Sequence, residues 1–507
     1  MRERNQASPR ALAIACAAGA SVLVAVPAGA VAQAAGGPSA DGAPVNGPPV
    51  MLQLDDARVA IEPYVAASSL GSRAELAARL GKLDTSLSAS VERGGGGMAT
   101  PEFAWGGVQT PAAWTSNDVQ LKAGWALVGD TQLNLEAGSN ERRTRNFPSA
   151  LSAEGETQLA IDQSSFLRVH GGLHAGPLGA LIGAETSVTA FDTQTPGAGA
   201  GDRQWLTTRK LFANLDWRLS QRLSLEAGQA AQNLVVGWRG ASDVSSRASY
   251  LTPSVALALT PWDGASWKLQ AEQTLTPINP AQFAAYAQLA TPGTGTAPQP
   301  DRGWRYGVRM EHQLSGGVDL TAQVSDWRYA SVTDLGPVGG GEAPVSIGPG
   351  ARQELDLDLK APLAPIGLNG TTLAGAVSLR NSQVSDPFTG RRRAFSGESP
   401  YRAELRLSGS APVSALTWTL VASADGPQNL YQMSQVTNLG ATAGLGGALT
   451  YGAGPVQFSL QLDNVIGGSR QVTTYSYIGS RTDGSLGEID RRADDARAVR
   501  FSLKRGY

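Results

Sequence analysis

In RQELDLDLKAPL (residues 352–363), Leu355, Leu357 and Leu359 fall on every second position. Glu354, Asp356, Asp358 and Lys360 fill the places between. A period of two is the signature of a β-strand, whose successive side chains point to opposite faces. The pattern recurs along the chain. Leu211, Ala213, Leu215, Trp217 and Leu219 oppose Asn214, Asp216 and Arg218, and Trp267, Leu269 and Ala271 oppose Lys268, Gln270 and Glu272. Tyr401, Ala403, Leu405 and Leu407 oppose Arg402, Glu404 and Arg406, and Val456, Phe458, Leu460 and Leu462 oppose Gln457, Ser459, Gln461 and Asp463.

The joints between these segments alternate in length. Short ones fall at Val128–Thr131, Ala175–Leu178, Leu219–Arg222, Pro261–Ala265, Leu314–Gly317, Ser408–Val413 and Gly452–Pro455. Long, Gly/Pro/Ser/Thr-rich ones fall near 94–113, 142–157, 192–203, 278–301, 333–350, 386–399 and 466–495. Short turn, long loop, short turn is the rhythm of a transmembrane antiparallel β-barrel with tight periplasmic turns and extended external loops. A soluble β-sandwich also alternates. The charges on strand after strand, the absence of a domain break and the loop asymmetry favour the barrel. Counting from Val59 to Tyr507 predicts an all-β fold of about 20 strands (18–22), both termini periplasmic. Leucines then face lipid and the charges face a polar interior.

The amino-terminal residues read as a secretory signal. Arg2, Arg4 and Arg10 precede the apolar stretch ALAIACAAGASVLVAV, and Ala32-Gln33-Ala34 supplies a small-residue cleavage site. The expected divisions are a signal peptide over 1–34, a flexible lead-in over 35–56 and the barrel over 57–507. Cys16, the only cysteine, lies within the signal. Lipidation there is disfavoured, because Ala13 stands where such a signal usually has Leu. A cysteine-free mature chain excludes disulfides, thiolate metal sites and a cysteine nucleophile. No later apolar run is long enough for a membrane-spanning helix. A net charge of −2 gives no reason to expect nucleic acid as partner. Trp217, Trp262 and Trp267 stand beside short turns and Trp304 beside a long loop, as expected for rings at the two membrane interfaces.

The chain ends RAVRFSLKRGY, with Phe501, Leu503 and the terminal Tyr507 on one face. This resembles the last strand by which the barrel-assembly machinery recognises outer-membrane proteins. Upstream, LQLDNVIGGSRQVTTYSYIGSRTDGSLGEIDRR, with Asp463-Asn464-Val465 at a turn, looks like the end of a TonB-dependent receptor barrel. The resemblance implies a transport barrel in a Gram-negative outer membrane. That family carries an internal plug of over a hundred residues. Strand-like alternation here begins at residue 58, leaving no room for a plug. A plug or energising partner supplied in trans is the corresponding expectation.

Little looks catalytic, and the expectation is a non-enzyme without cofactor or metal. His170 and His174 lie four apart, on one face of a strand, without a nearby third ligand; His312 is the only other histidine. The inward charges are the functional candidates: Arg305, Arg309 and Glu311; Glu354, Asp356, Asp358 and Lys360; Arg402, Glu404 and Arg406. They would line a polar pathway, narrowed by loops such as 278–301 folding inward. A barrel serving as anchor or interaction surface through its external loops is the second reading. A hydrolase with a Ser–His site at the lipid face is the third, and no such pair shows in the sequence.

Overall fold

The computed structural model describes residues 50–54, 57–66, 69–80, 82–94, 113–127, 131–146, 158–194, 202–240, 243–290, 297–411, 415–453, 456–463, 465, 470–482, 485–494 and 498–505. The expected signal segment with its expected cleavage site, and Tyr507, lie outside them.

One antiparallel sheet of 22 strands dominates, the shortest being the two-residue Arg392–Arg393. Strands pair with their neighbours in chain order, from Val50–Leu54 on Ala57–Ala66 through to Val456–Asp463 on Ala498–Arg505. This is an up-and-down transmembrane β-barrel. No described helix is long and apolar enough to cross a membrane. Val50–Leu54 extends the sheet into the expected lead-in. Val50, Leu52 and Leu54 alternate with Met51 and Gln53, and the segment pairs along one edge with Ala57–Ala66.

The alternation sets the two faces. On the outer face Ile182, Leu211 and Leu251 are 61%, 64% and 58% exposed, the inverse of a water-soluble core. Leu355, Leu357 and Leu359 pair with Leu379, Val377 and Gly375, all on that face. At the short-turn end Trp262 packs edge-on to Trp267, and its indole N–H points to His312 Nε2 at 3.4 Å. That end is closed by tight hairpins such as Gly176-Pro177, where Gly176 takes φ 60°.

The strands in the middle of the chain are long: Gln158–Ala175 has 18 residues, and Leu178–Gln194, Asp202–Arg218, Leu223–Arg239 and Asp243–Leu259 have 17 each. About 9–11 residues suffice to cross a bilayer, so these strands project beyond it at the long-loop end.

Four long loops carry regular structure of their own. Residues 280–289 form a helix, α1 (Pro280–Leu289), started by Asn279, whose Oδ1 accepts from the Ala281 N–H at 2.8 Å, and by Pro280 in its first turn. Thr333–Val338 and Gly341–Ser346 form a hairpin across Gly339-Gly340, both at positive φ. Gln428–Tyr431, Gln435–Leu439, Arg470–Tyr477 and Leu486–Asp494 form a four-stranded sheet shared between two loops. Hydrophobic period alone marks none of them, because these pieces are short and rich in turn residues.

Candidate functional site

The inner wall carries the charges, and most are paired across or along strands. Lys268 Nζ donates to Glu226 Oε2 at 2.6 Å, and Arg305 lies 3.3 Å from Glu272. Arg309 pairs with Glu311 at 2.7 Å, Arg402 with Asp425 at 2.7 Å and Arg406 with Glu404 at 2.9 Å. Glu354 is held by Arg380 at 2.6 Å and by Arg352 at 3.5 Å. Farther round, Arg168 lies between Glu185 at 3.0 Å and Glu136 at 3.5 Å. Asp356, Asp358 and Lys360 make no salt bridge among the described residues.

All ten charges singled out in the sequence therefore lie on the face opposite the exposed apolar side chains. Seven of them have ionic partners. The pairing residues Glu226, Lys268, Glu272, Arg380 and Asp425 were not among the candidates. Register identifies them, since Glu272 stands opposite Arg305, Glu354 opposite Arg380 and Arg402 opposite Asp425. A single strand's sequence does not contain register.

This wall borders a cavity of about 540 Å³ lined by His174, Asn214, Asp216, Glu226, Lys268 and Glu272. Small residues make the space: Gly172, Gly179, Gly228 and Ala256 lie among the charges. A Cβ on Gly228 would stand 2.5 Å from Asn214 Oδ1 and 2.6 Å from Ser254 Oγ. His174 points toward Gly179, and His312 is on the other face beside Trp262. No group of three metal-ligating side chains occurs among the described residues. Phe501 and Leu503 pair with Leu460 and Phe458 in the last ladder.

Toward the long-loop end the same inner face turns apolar. Leu234, Val236 and Trp238 continue the row that began with Glu226, and all three are buried. The reason is α1. Phe283, 0% exposed, packs with Ala284 and Ala287 against Val236, Trp238 and Ile278. Tyr286 turns the other way, into Val338 and Ala343 of the 333–346 hairpin. Within the 278–301 segment, residues 278–290 thus fold over the inner wall.

The other loops are tied together by a buried ionic node. Asp386 Oδ2 accepts from Arg393 Nε and Arg481 Nη2, both at 2.8 Å, while its Oδ1 accepts from the Phe388 and Thr389 N–H groups. Arg393 also reaches Asp334 at 3.0 Å. Tyr431 has the Arg393 guanidinium 4.4 Å and that of Arg481 5.6 Å from its ring centre. Glu342 accepts from the Met433 N–H at 2.5 Å. Four loops, around residues 334, 386–393, 431 and 481, meet there. Burial pushes the Asp386 carboxyl up. The Thr389 N–H, Arg481 and the Phe388 N–H outweigh it, and the net displacement is below the usual carboxylate value.

Comparison with solved structures places this architecture. The ferric yersiniabactin uptake receptor FyuA from Yersinia pestis superposes with a TM-score of 0.62 at 13% identity, over 91% of this chain and 76% of that one. The siderophore receptor PiuA from Acinetobacter baumannii gives 0.62 at 9%, over 91% and 78%. The FrpB iron transporter from Neisseria meningitidis gives 0.63 at 10%, over 91% and 77%. The fold is that of a TonB-dependent receptor barrel. At these identities the likeness is one of fold. No family model matches the sequence, and no curated protein is similar to it.

Proposed function

We propose that this chain is an outer-membrane transport barrel of TonB-dependent-receptor build without a plug of its own. Solutes pass along the paired-charge wall, and α1 with the ion-tied loops narrows the long-loop end. The observation that carries this reading is the wall itself. Charged residues line an open cavity of about 540 Å³, whereas a barrel used only as an anchor needs no polar lumen and is served better by a packed one. The signal peptide over 1–34 and assembly through Phe501, Leu503 and Tyr507 belong to the same reading, as do the short turns on the periplasmic side. The three neighbours above are named for iron or siderophore uptake. Iron chelates are therefore the first solutes to test, with a plug or energising partner acting in trans. The mixed charge of the wall selects for neither sign of solute.

The test is the conductance of residues 35–507 in a planar bilayer, beside a variant in which 279–298 is replaced by a short Gly-Ser linker. Transport predicts low conductance for the first and large, steady channels for the second. Insertion of both without conductance overturns it in favour of the anchor reading. The ionic node supports that second reading, since it consolidates the loops into a surface suited to a partner.

A further inference from the structure

The outer face changes character along the long strands. Starting from Trp217, the side chains of Leu215, Ala213 and Leu211 are apolar, and the next outward residue is Arg209. Over that distance the strand climbs about 26 Å along its axis and roughly 20 Å vertically, at about 3.3 Å per residue and a tilt of about 40°. Two strands away, Leu257 lies level with Trp217 through Leu225. From Leu257 to Arg247 the vertical climb is roughly 25 Å by the same arithmetic. The apolar band of such a barrel is about 25 Å tall. Arg209 and Arg247 therefore stand at its upper border, where lipid phosphates lie.

Other outward arginines at this end are neutralised by acidic neighbours. Arg143 pairs with Glu141 at 2.6 Å, Arg203 with Asp192 at 3.5 Å, Arg239 with Asp243 at 3.1 Å and Arg328 with Asp326 at 2.8 Å. Arg209 and Arg247 are exposed and make no salt bridge among the described residues. Their neighbours in register are neutral: Arg209 faces Asn233 and Thr186, and Arg247 faces Val235. Asn233 donates to Ser249 Oγ at 2.8 Å between them. Strand spacing puts the two arginine backbones about 12 Å apart, a gap that two flexible guanidinium arms can close around one headgroup.

We infer that Arg209 and Arg247, with Asn233 and Ser249 between them, form a docking site for an anionic, phosphate-bearing lipid headgroup of the leaflet at the long-loop end. Each guanidinium offers a planar pair of N–H donors to phosphate oxygens. Leu211 and Leu251, 64% and 58% exposed directly below, receive the acyl chains. This site is independent of whether the lumen transports anything.

The experiment uses the folded barrel in phosphatidylcholine vesicles, with spin-labelled phosphatidylglycerol or spin-labelled phosphatidylcholine as probe and sheet circular dichroism to verify folding. The wild type should immobilise the anionic probe with a preference of roughly thirtyfold, the scale expected of two surface arginines. Arg209→Gln with Arg247→Gln should abolish the preference. Arg143→Gln with Arg328→Gln removes the same charge from already paired positions and should retain it. Equal loss in both double variants, or no loss in the first, overturns the site. Millimolar inorganic phosphate should leave the preference intact; competition by it would overturn the assignment to a lipid.

Discussion

Arg481 and Asp386 stand 95 positions apart in the chain and meet at 2.8 Å. Asp386 is 2% exposed and takes a second guanidinium, that of Arg393, on the same oxygen. A buried carboxylate so placed ties the loops around residues 386–393 and 481 to each other. Asp386→Asn leaves two arginines facing a neutral amide, and breaking a buried ionic contact in this way costs about 3–5 kcal/mol. The loss should be local. Hydrogen exchange should speed up in residues 386–393 and 470–482, while the strands of the wall keep their protection.

The same carboxyl gives the loops a pH dependence. Its folded-state pKa lies below the ordinary value of 3.8. Its contribution is therefore complete above 3.8 and is lost as the pH falls through the lower folded value. Limited proteolysis of the loops should be unchanged from neutral pH down to about 4 and should accelerate below it. Asp386→Asn should cut readily at all these pH values. A wild type that loosens at pH 6 would show that another group controls the loops.

Phe283 anchors α1 to Val236 and Trp238. Phe283→Ala removes the largest side chain that α1 brings to that contact, with an expected cost of about 3–5 kcal/mol. The helix should detach without unfolding the barrel. Trp238 fluorescence should shift to the red as water reaches its ring, and single-channel conductance should rise toward that of the 279–298 linker variant.

Glycines of the inner wall divide into two kinds. A Cβ on Gly183 would lie 2.5 Å from the Phe212 ring and 2.8 Å from the Val169 carbonyl oxygen. Gly172 has nothing within 4 Å of that position. Gly183→Val should therefore lower thermal stability, by about 1–3 kcal/mol, and Gly172→Ala should leave it unchanged. Thermal unfolding of the two refolded variants checks this.

Tyr507, outside the described residues, is an aromatic spaced an even number of positions from Phe501 and Leu503. Tyr507→Ser should reduce the amount of folded barrel in the membrane severalfold. Normal insertion of that variant would remove the assembly signal from that position.

The barrel was legible in the sequence because lipid outside and water inside impose one rule on every strand. Leu355, Leu357 and Leu359 against Glu354, Asp356 and Asp358 state that rule in a few positions. The paired wall was half legible. Arg305 and Glu354 were visible as inward charges. Their partners Glu272 and Arg380 depend on register, which hairpin length and neighbouring strands fix together. The loop structures were not legible. PAQFAAYAQL reads as a loop segment because proline opens it and its apolar residues follow no single stripe. That lack of a stripe is the consequence of its position, buried on one side by Trp238 and on the other by Val338. The Asp386 node brings together residues from distant loops, and no local pattern announces it.

The crossing of α1 and the 333–346 hairpin has a mechanical meaning. A wide tube of strands with a solvated interior has no packed core to set its cross-section, and a ladder of hydrogen bonds bends easily about its own strands. α1 rests on the Leu223–Arg239 strand, while the hairpin against it springs from the strands ending at Ser331 and beginning at Gly350. Together they form a rigid rib joining two arcs of the wall. Lateral pressure that would flatten an empty tube to an ellipse instead loads Phe283 and Tyr286 in compression, so this rib fixes the bore of the barrel at that level.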